Sequence, residues 1–232
     1  MEAIIVAAGS SRRMGFDKLA AHIAGKSVLA HSLQAFDVCP EVTRILLVCS
    51  DPKTENIRQS LGGVSKSCAI IPGGEERADS VRNGLHALSP DCAYVAIHDA
   101  ARPLILPEQI SEALVLAKKN GSCTLAEPCT DTLHRASIDD AYRPHGLLTS
   151  TVNREHVWRI QTPQVFQLSL LFAALHQAAK KKTPLTDEAS AIIASGHGVS
   201  ILPCAIPNFK ITFPQDLELA EDILSRRFQG DV

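Results

Sequence analysis

The apolar run AYVAIHD at 93–99 ends on a carboxylate, and in HDAARP an arginine follows three residues later. Open α/β sheets bind ligands beyond the carboxyl ends of their strands. Asp99 is therefore placed to hold a divalent cation against an anionic substrate, and Arg102 to meet a second anion. A helix or turn cap would also account for Asp99. Near the amino terminus, VAAGSSRRMGFDK (6–18) breaks a strand-like run at Gly9 and follows it with two serines, Arg12, Arg13 and Lys18. A glycine after a strand lets the backbone turn sharply and present amides to an anion. The three cations can neutralise several phosphate oxygens. This stretch reads as a polyphosphate cradle, with a solvated basic loop as the plainer account.

A third stretch, PGGEERADSVRNGL (72–85), has paired glycines, Gly73 and Gly74, at a strand end. They permit close backbone approach to a base or ribose, and Arg77, Ser80 and Arg82 are expected to project toward the same place. An ordinary strand-to-helix turn competes with that reading. Lys210, in PNFKITF, is expected between a proline turn and a strand, pointing away from Phe209 and Ile211. His98 reads as a hydrogen-bonded structural histidine. In LTDEASAIIASG (185–196), Thr186 is expected to cap a helix with acids in its first turn, a structural role. Two familiar phosphate motifs are excluded. Gly25-Lys26-Ser27 lacks the P-loop glycine five places earlier, where Ala20 stands. After Gly9 the dinucleotide fingerprint would need glycines where Ser11 and Met14 stand.

These residues need a frame, and the chain supplies an alternating one. Apolar runs at 3–8, 44–50, 67–72, 93–99 and 122–128 are predicted strands, with helices near 27–37, 53–61, 75–88 and 107–119. That alternation predicts an α/β fold with a largely parallel sheet. From 129 to 158 the rhythm fails in a polar, turn-rich stretch. An insertion of ~30 residues is usually functional or a partner-binding arm. Beyond it come QTPQVF, helices near 168–180 and 187–195, the strand GVSILPC and a last helix after Pro214. One domain, 1–232, with a protruding arm at about 129–158 is expected.

The 232 residues carry a net charge of −2, with 45% hydrophobic and 21% charged residues. That balance gives no general attraction to nucleic acid or anionic membrane. No apolar stretch reaches the ~18 residues of a membrane helix, and only Met1 and Glu2 precede the first strand, so no targeting segment is expected. The seven cysteines form no C-x-x-C pair and most sit in apolar runs. Buried, reduced thiols and a cytoplasmic location are expected.

AAGSSRRM, GGEERADSVRNGL and HDAARP, in this order and spacing, together resemble the 2-C-methyl-D-erythritol 4-phosphate cytidylyltransferase family. The similarity continues through DTLHR, TPQVF, TDEAS and NFKITFPQDL. The resemblance implies a Rossmann-like, mostly parallel sheet flanked by helices, of the nucleotidyltransferase, glycosyltransferase-A-like kind, with a dimerisation arm. It implies CTP over Ala7, Ala8, Gly9 and Ser10, with cytosine near Gly73, Gly74 and Ser80. Arg13, Lys18 and Lys210 match catalytic cations, and Asp99 matches the residue associated with Mg²⁺. Arg102 and Thr132 match residues near the acceptor, methylerythritol phosphate. Arg154 matches an arginine on the arm that reaches a neighbouring subunit, implying a homodimer. Departures occur at Ser11, where glycine is common, and in DKLA, where Asp17 stands beside Lys18. Within the same chemistry, a ribitol 5-phosphate cytidylyltransferase is the alternative.

Overall fold

The computed structural model describes residues 1–9, 14–50, 57, 61–137 and 146–229. The chain opens with β1 (Glu2–Val6), a small hairpin of β2 (His22–Ile23) and β3 (Lys26–Ser27), α1 (Val28–Val38), β4 (Arg44–Cys49) and β5 (Cys68–Pro72). There follow α2 (Arg77–His86), β6 (Tyr94–Asp99), α3 (Pro107–Asn120) and β7 (Ser122–Pro128). Then come β8 (Leu133–Ser137), β9 (Leu147–Val152), β10 (Trp158–Gln167), α4 (Leu168–Lys181), α5 (Glu188–Ala194), β11 (Ser200–Pro203) and α6 (Pro214–Gln229). The helix expected near 53–61 lies outside the described residues, apart from Ile57 and Leu61.

Seven strands form one sheet in the order β11-β7-β10-β6-β1-β4-β5. Pairings β1–β4, β1–β6, β4–β5 and β7–β11 are parallel, and β10 runs antiparallel to both neighbours. The expectation of a mostly parallel α/β sheet holds. Its central strands β1, β4 and β6 are continuous apolar runs because both faces are covered, while the edge strands β5 and β11 are only partly buried. Ala3, Ile5, Ile45, Leu47 and Ala96 pack with α1, α3 and α6 on one face. Ile4, Leu46, Val48, Val95 and Ile97 pack with α2, α4 and α5 on the other. Each fully buried Ile or Leu contributes about 1.5–3 kcal/mol relative to exposure.

Helix ends follow the local chemistry. Ser27 caps α1 by accepting the Ala30 amide at 3.1 Å. Helix α3 starts on Pro107 and stops at Gly121, whose φ of 87° is the left-handed turn that glycine tolerates. At α5 the cap is Asp187 rather than Thr186, since Asp187 accepts the Ser190 amide at 2.9 Å. A carboxylate outcompetes a hydroxyl for that amide.

The stretch that breaks the α/β rhythm is more regular than its composition implies. It contains β8 and β9, an antiparallel ribbon separate from the main sheet, and the start of β10. Ribbon residues are largely exposed, with Leu147 at 79% and Leu148 at 70%. Strands that bury neither face keep polar sequences, which is why periodicity missed them. All seven cysteines are unbridged, but only Cys39, Cys49 and Cys123 are fully buried. Among the described residues no helix is long and apolar enough to cross a membrane.

Candidate active site

Strand order reverses at β1, since β4 and β5 lie to one side of it and β6 to the other. The carboxyl ends of β1 and β6 therefore flank a topological switch point, where such sheets bind ligands. A cleft of about 310 Å³ opens there. Ala7, Ala8, Gly9 and Lys18 line it from the loop after β1. Gly74, Arg77 and Ser80 line it after β5, with Asp99 from β6 and Lys210 from the loop before α6. Arg13 and Ser10 lie outside the described residues.

Asp99 is the electrostatic centre of the cleft. It is 8% exposed, and its backbone amide donates to Thr162 Oγ1 at 3.0 Å. Lys210 Nζ donates to Oδ2 at 2.9 Å and Arg77 Nε to Oδ1 at 3.2 Å. Arg102 Nε lies 3.7 Å from Oδ2. Burial pushes the carboxyl up, but Lys210, Arg77 and Arg102 together outweigh it and hold the group well below the ordinary carboxylate range. Both oxygens go to side-chain cations, so the turn-cap alternative is set aside. A carboxylate this acidic is a poor general base and a permanent anion.

The loop carrying Lys210 is irregular rather than a strand. Asn208, 1% exposed, pins it by donating to Gln161 Oε1 at 3.0 Å and to the Thr162 carbonyl at 2.9 Å. The Asn208 carbonyl accepts from Arg102 Nη1 at 2.9 Å, and the Ile211 amide donates to the Ala101 carbonyl at 2.8 Å. Phe209 and Ile211 pack into the core, which turns Lys210 toward the cleft as expected. Lys18 Nζ donates to the Ile211 carbonyl at 2.7 Å, so the two lysines are joined through one loop. Asp17 Oδ1 accepts the Leu19 amide at 3.2 Å and so shapes the turn beneath Lys18.

The glycine pair has a structural reason. A Cβ at Gly73 would come within 2.7 Å of the Ala8 Cβ, and one at Gly74 would collide with Asp79. Fully buried Ser80 accepts the Gly74 amide at 3.0 Å and donates to the Glu76 carbonyl at 3.1 Å, bracing that loop. Arg82 does not join the cleft; it pairs with Asp79 at 2.8 Å on the surface. Thr132 and Arg154 are exposed beside the ribbon and do not line the cleft of their own chain. The Arg154 guanidinium donates to the Thr130 carbonyl.

His98 sits behind Asp99. Thr162 Oγ takes the Asp99 amide proton and gives its own to Nδ1 at 3.2 Å, which leaves Nε2–H to donate to the Arg102 carbonyl at 3.2 Å. Burial pulls this imidazole down to about 3, so it is neutral near pH 7 and serves as a spacer. Glu188 was expected to be merely structural, yet it reaches the site through Arg77, to which it pairs at 2.9 Å. Glu188 and Asn208 lie in the stretches TDEAS and NFKITFPQDL, but nothing local shows what either touches, since each acts through residues distant in sequence.

Both Asp99 oxygens already accept from Lys210 and Arg77, so a divalent ion at this carboxylate would have to displace one of those donors. Among the described residues no three His, Cys, Asp or Glu side chains cluster as a metal cage. Asp99 could supply one hard oxygen ligand and leave the rest to phosphate and water, which is how Mg²⁺ commonly binds beside nucleotides.

Comparison with known proteins agrees with the geometry. The family model described as 2-C-methyl-D-erythritol 4-phosphate cytidylyltransferase matches residues 1–226. A protein of that name from Alkaliphilus oremlandii is 39% identical over 232 residues, spanning 98% of this chain and 96% of its own. Another, from Dehalococcoides mccartyi, is 42% identical over 227 residues, spanning 97% and 96% respectively. The solved structure of 4-diphosphocytidyl-2C-methyl-D-erythritol synthase from Anaerococcus prevotii matches with a TM-score of 0.82. It is 28% identical and covers 97% of this chain and 96% of its own.

Proposed function

Since the chain belongs to the 2-C-methyl-D-erythritol 4-phosphate cytidylyltransferase family, we propose that it transfers a cytidylyl group from CTP to 2-C-methyl-D-erythritol 4-phosphate. The products are 4-diphosphocytidyl-2-C-methyl-D-erythritol and pyrophosphate, within non-mevalonate isoprenoid precursor synthesis. The observation that carries this reading is the switch-point cleft in which Lys18, Lys210 and Asp99 converge. The ribitol 5-phosphate alternative is not favoured, because the relatives above are named for methylerythritol phosphate.

An acceptor phosphate oxygen attacks the α-phosphorus of CTP in line, and the bond to the β-phosphate oxygen breaks. The acceptor is already ionised at neutral pH, so no protein base is needed. Catalysis then consists of positioning and charge neutralisation. Lys18 and the matched Arg13 serve the α and bridging oxygens, and Lys210 the charge that develops as pyrophosphate leaves. Ala7, Ala8 and Gly9, with the matched Ser10, carry the nucleotide. Gly73, Gly74 and Ser80 shape the wall against which the cytosine lies. Asp99 would hold Mg²⁺, whose role when bound is to offset triphosphate charge.

Arg102, mostly buried behind Asp99 with Nη1 on the Asn208 carbonyl, is assigned to the acceptor phosphate through its match to the family. Thr132 and Arg154 are assigned to a second copy's acceptor, through the ribbon acting as the arm of a single-domain homodimer. The exposed Leu147 and Leu148 give that arm apolar surface to bury. The reaction is assigned to the cytoplasm, consistent with seven unbridged thiols.

The test is pyrophosphate release from CTP with each polyol phosphate, with and without Mg²⁺. Release with methylerythritol phosphate and Mg²⁺, and little with ribitol 5-phosphate, is expected. Release with neither acceptor would overturn the assignment.

A further inference from the structure

Arg77 is the first residue of α2 and Glu188 the first of α5, and the two meet at the back wall of the cleft. Arg77 Nη1 donates to Glu188 Oε1 at 2.9 Å and Oε2 at 3.0 Å, while Nη2 donates to Oε2 at 3.0 Å. Only Nε is then turned to Asp99 Oδ1, at 3.2 Å. Glu188 is 5% exposed and does not line the cleft, whereas Arg77 does. The carboxylate cannot drift, because α5 is tied to β10. Gln164 accepts the Ala189 amide at 3.1 Å and donates to Asp187 Oδ2 at 2.6 Å. Gln164 itself pairs with Ile97 of β6, two residues before Asp99.

A guanidinium binds phosphate through the same paired N–H edge that Glu188 occupies. We propose that Glu188 is a positioning residue: it holds the Arg77 fork away from the nucleotide phosphates and leaves Nε to orient Asp99. The site thereby keeps a cation that steadies its carboxylate without adding another clamp on the leaving pyrophosphate. A group that gripped the released pyrophosphate as tightly as the transition state would slow product release without lowering the barrier from the bound state.

This inference rests on the cytidylyl-transfer reading, but pyrophosphate binding tests it without turnover. In Glu188→Gln the amide can no longer hold the fork as an ion pair. Equilibrium titration with inorganic pyrophosphate is expected to show at least fivefold tighter binding than wild type. In steady state, kcat falls about tenfold or more while the KM for CTP stays level or drops. Introduced into Arg77→Met, the same Glu188→Gln change is expected to alter pyrophosphate affinity less than twofold.

Unchanged affinity in folded Glu188→Gln overturns the proposal, and so does equal tightening in both backgrounds, which would reveal only a general charge effect. If Glu188→Gln does not fold, Glu188→Asp keeps the charge but withdraws the oxygens by one methylene; tightening is again expected, and its absence refutes the proposal. Wild type that binds pyrophosphate but transfers no cytidylyl group would count against the reaction assignment, with the affinity comparison still deciding the role of Glu188.

Discussion

Gly73→Ala is expected to disable the cleft without unfolding the protein. The new methyl would lie 2.7 Å from the Ala8 Cβ and 3.2 Å from Ser80 Oγ. Ordinary contact begins near 3.4 Å, so the loops after β1 and β5 must part by roughly 0.7 Å. Neither side yields readily. The Gly73 amide is tied to the Cys49 carbonyl at 2.7 Å, and the Ala7 amide to the Val48 carbonyl at 2.7 Å. Overpacking of this kind costs about 1–3 kcal/mol. Since both loops contribute to the cleft proposed to hold CTP, and a shift of about 1 Å can cost about 10² in rate, kcat/KM for CTP should fall about 10- to 100-fold. Initial rates of pyrophosphate release over a CTP range would measure it, with thermal unfolding as the check on folding. Ala8→Gly removes the closer contact, so the double variant should recover most of the loss. Wild-type kcat/KM in Gly73→Ala, or no recovery in the pair, would refute the argument that these loops are held in contact.

Lys18→Ala and Lys210→Ala should fold, because Arg77 and Arg102 still surround Asp99, and each should lose about 10²–10³ in turnover; unchanged single-turnover rates would remove those assignments. Arg154→Ala, at an exposed position beside the ribbon, should raise the acceptor KM with little change in the KM for CTP, and equal effects on both would count against its proposed role. His98 makes stability pH-dependent. Its folded value near 3 lies below the unfolded 6.5, so between them the unfolded chain binds the extra proton and acid destabilises the fold. From pH 6.5 to 5 this amounts to about 2 kcal/mol. Urea unfolding of His98→Gln should show a shallower pH slope than wild type over that window, and an identical slope would exclude His98 as the source.

Much of the architecture was legible along the chain. Strands β1, β4, β6 and β7 stood out as apolar runs because their residues are largely buried, the edge strand β5 was legible although only partly buried, and helices formed as expected near 27–37, 107–119 and 168–180. The ribbon did not, since it buries neither face, and Thr186 was misread because carboxylate and hydroxyl neighbours compete for one amide. At the site, motif spacing marked Lys18, Asp99, Gly74 and Ser80, which all line the cleft, while Lys210 was marked by the family resemblance alone. It could not reveal that Glu188 anchors Arg77, that Asn208 pins the Lys210 loop, or that Arg82 turns away.

Residue order alone thus determined most of the strands and helices around the main sheet, because hydrophobic period acts between near neighbours. Only tertiary structure decided which side chains meet. Where the strand order reverses at β1, the loop after β1 comes beside Asp99, and α5 brings Glu188 to Arg77 across 111 positions. Such pairings depend on how the sheet is wound, which no local pattern records.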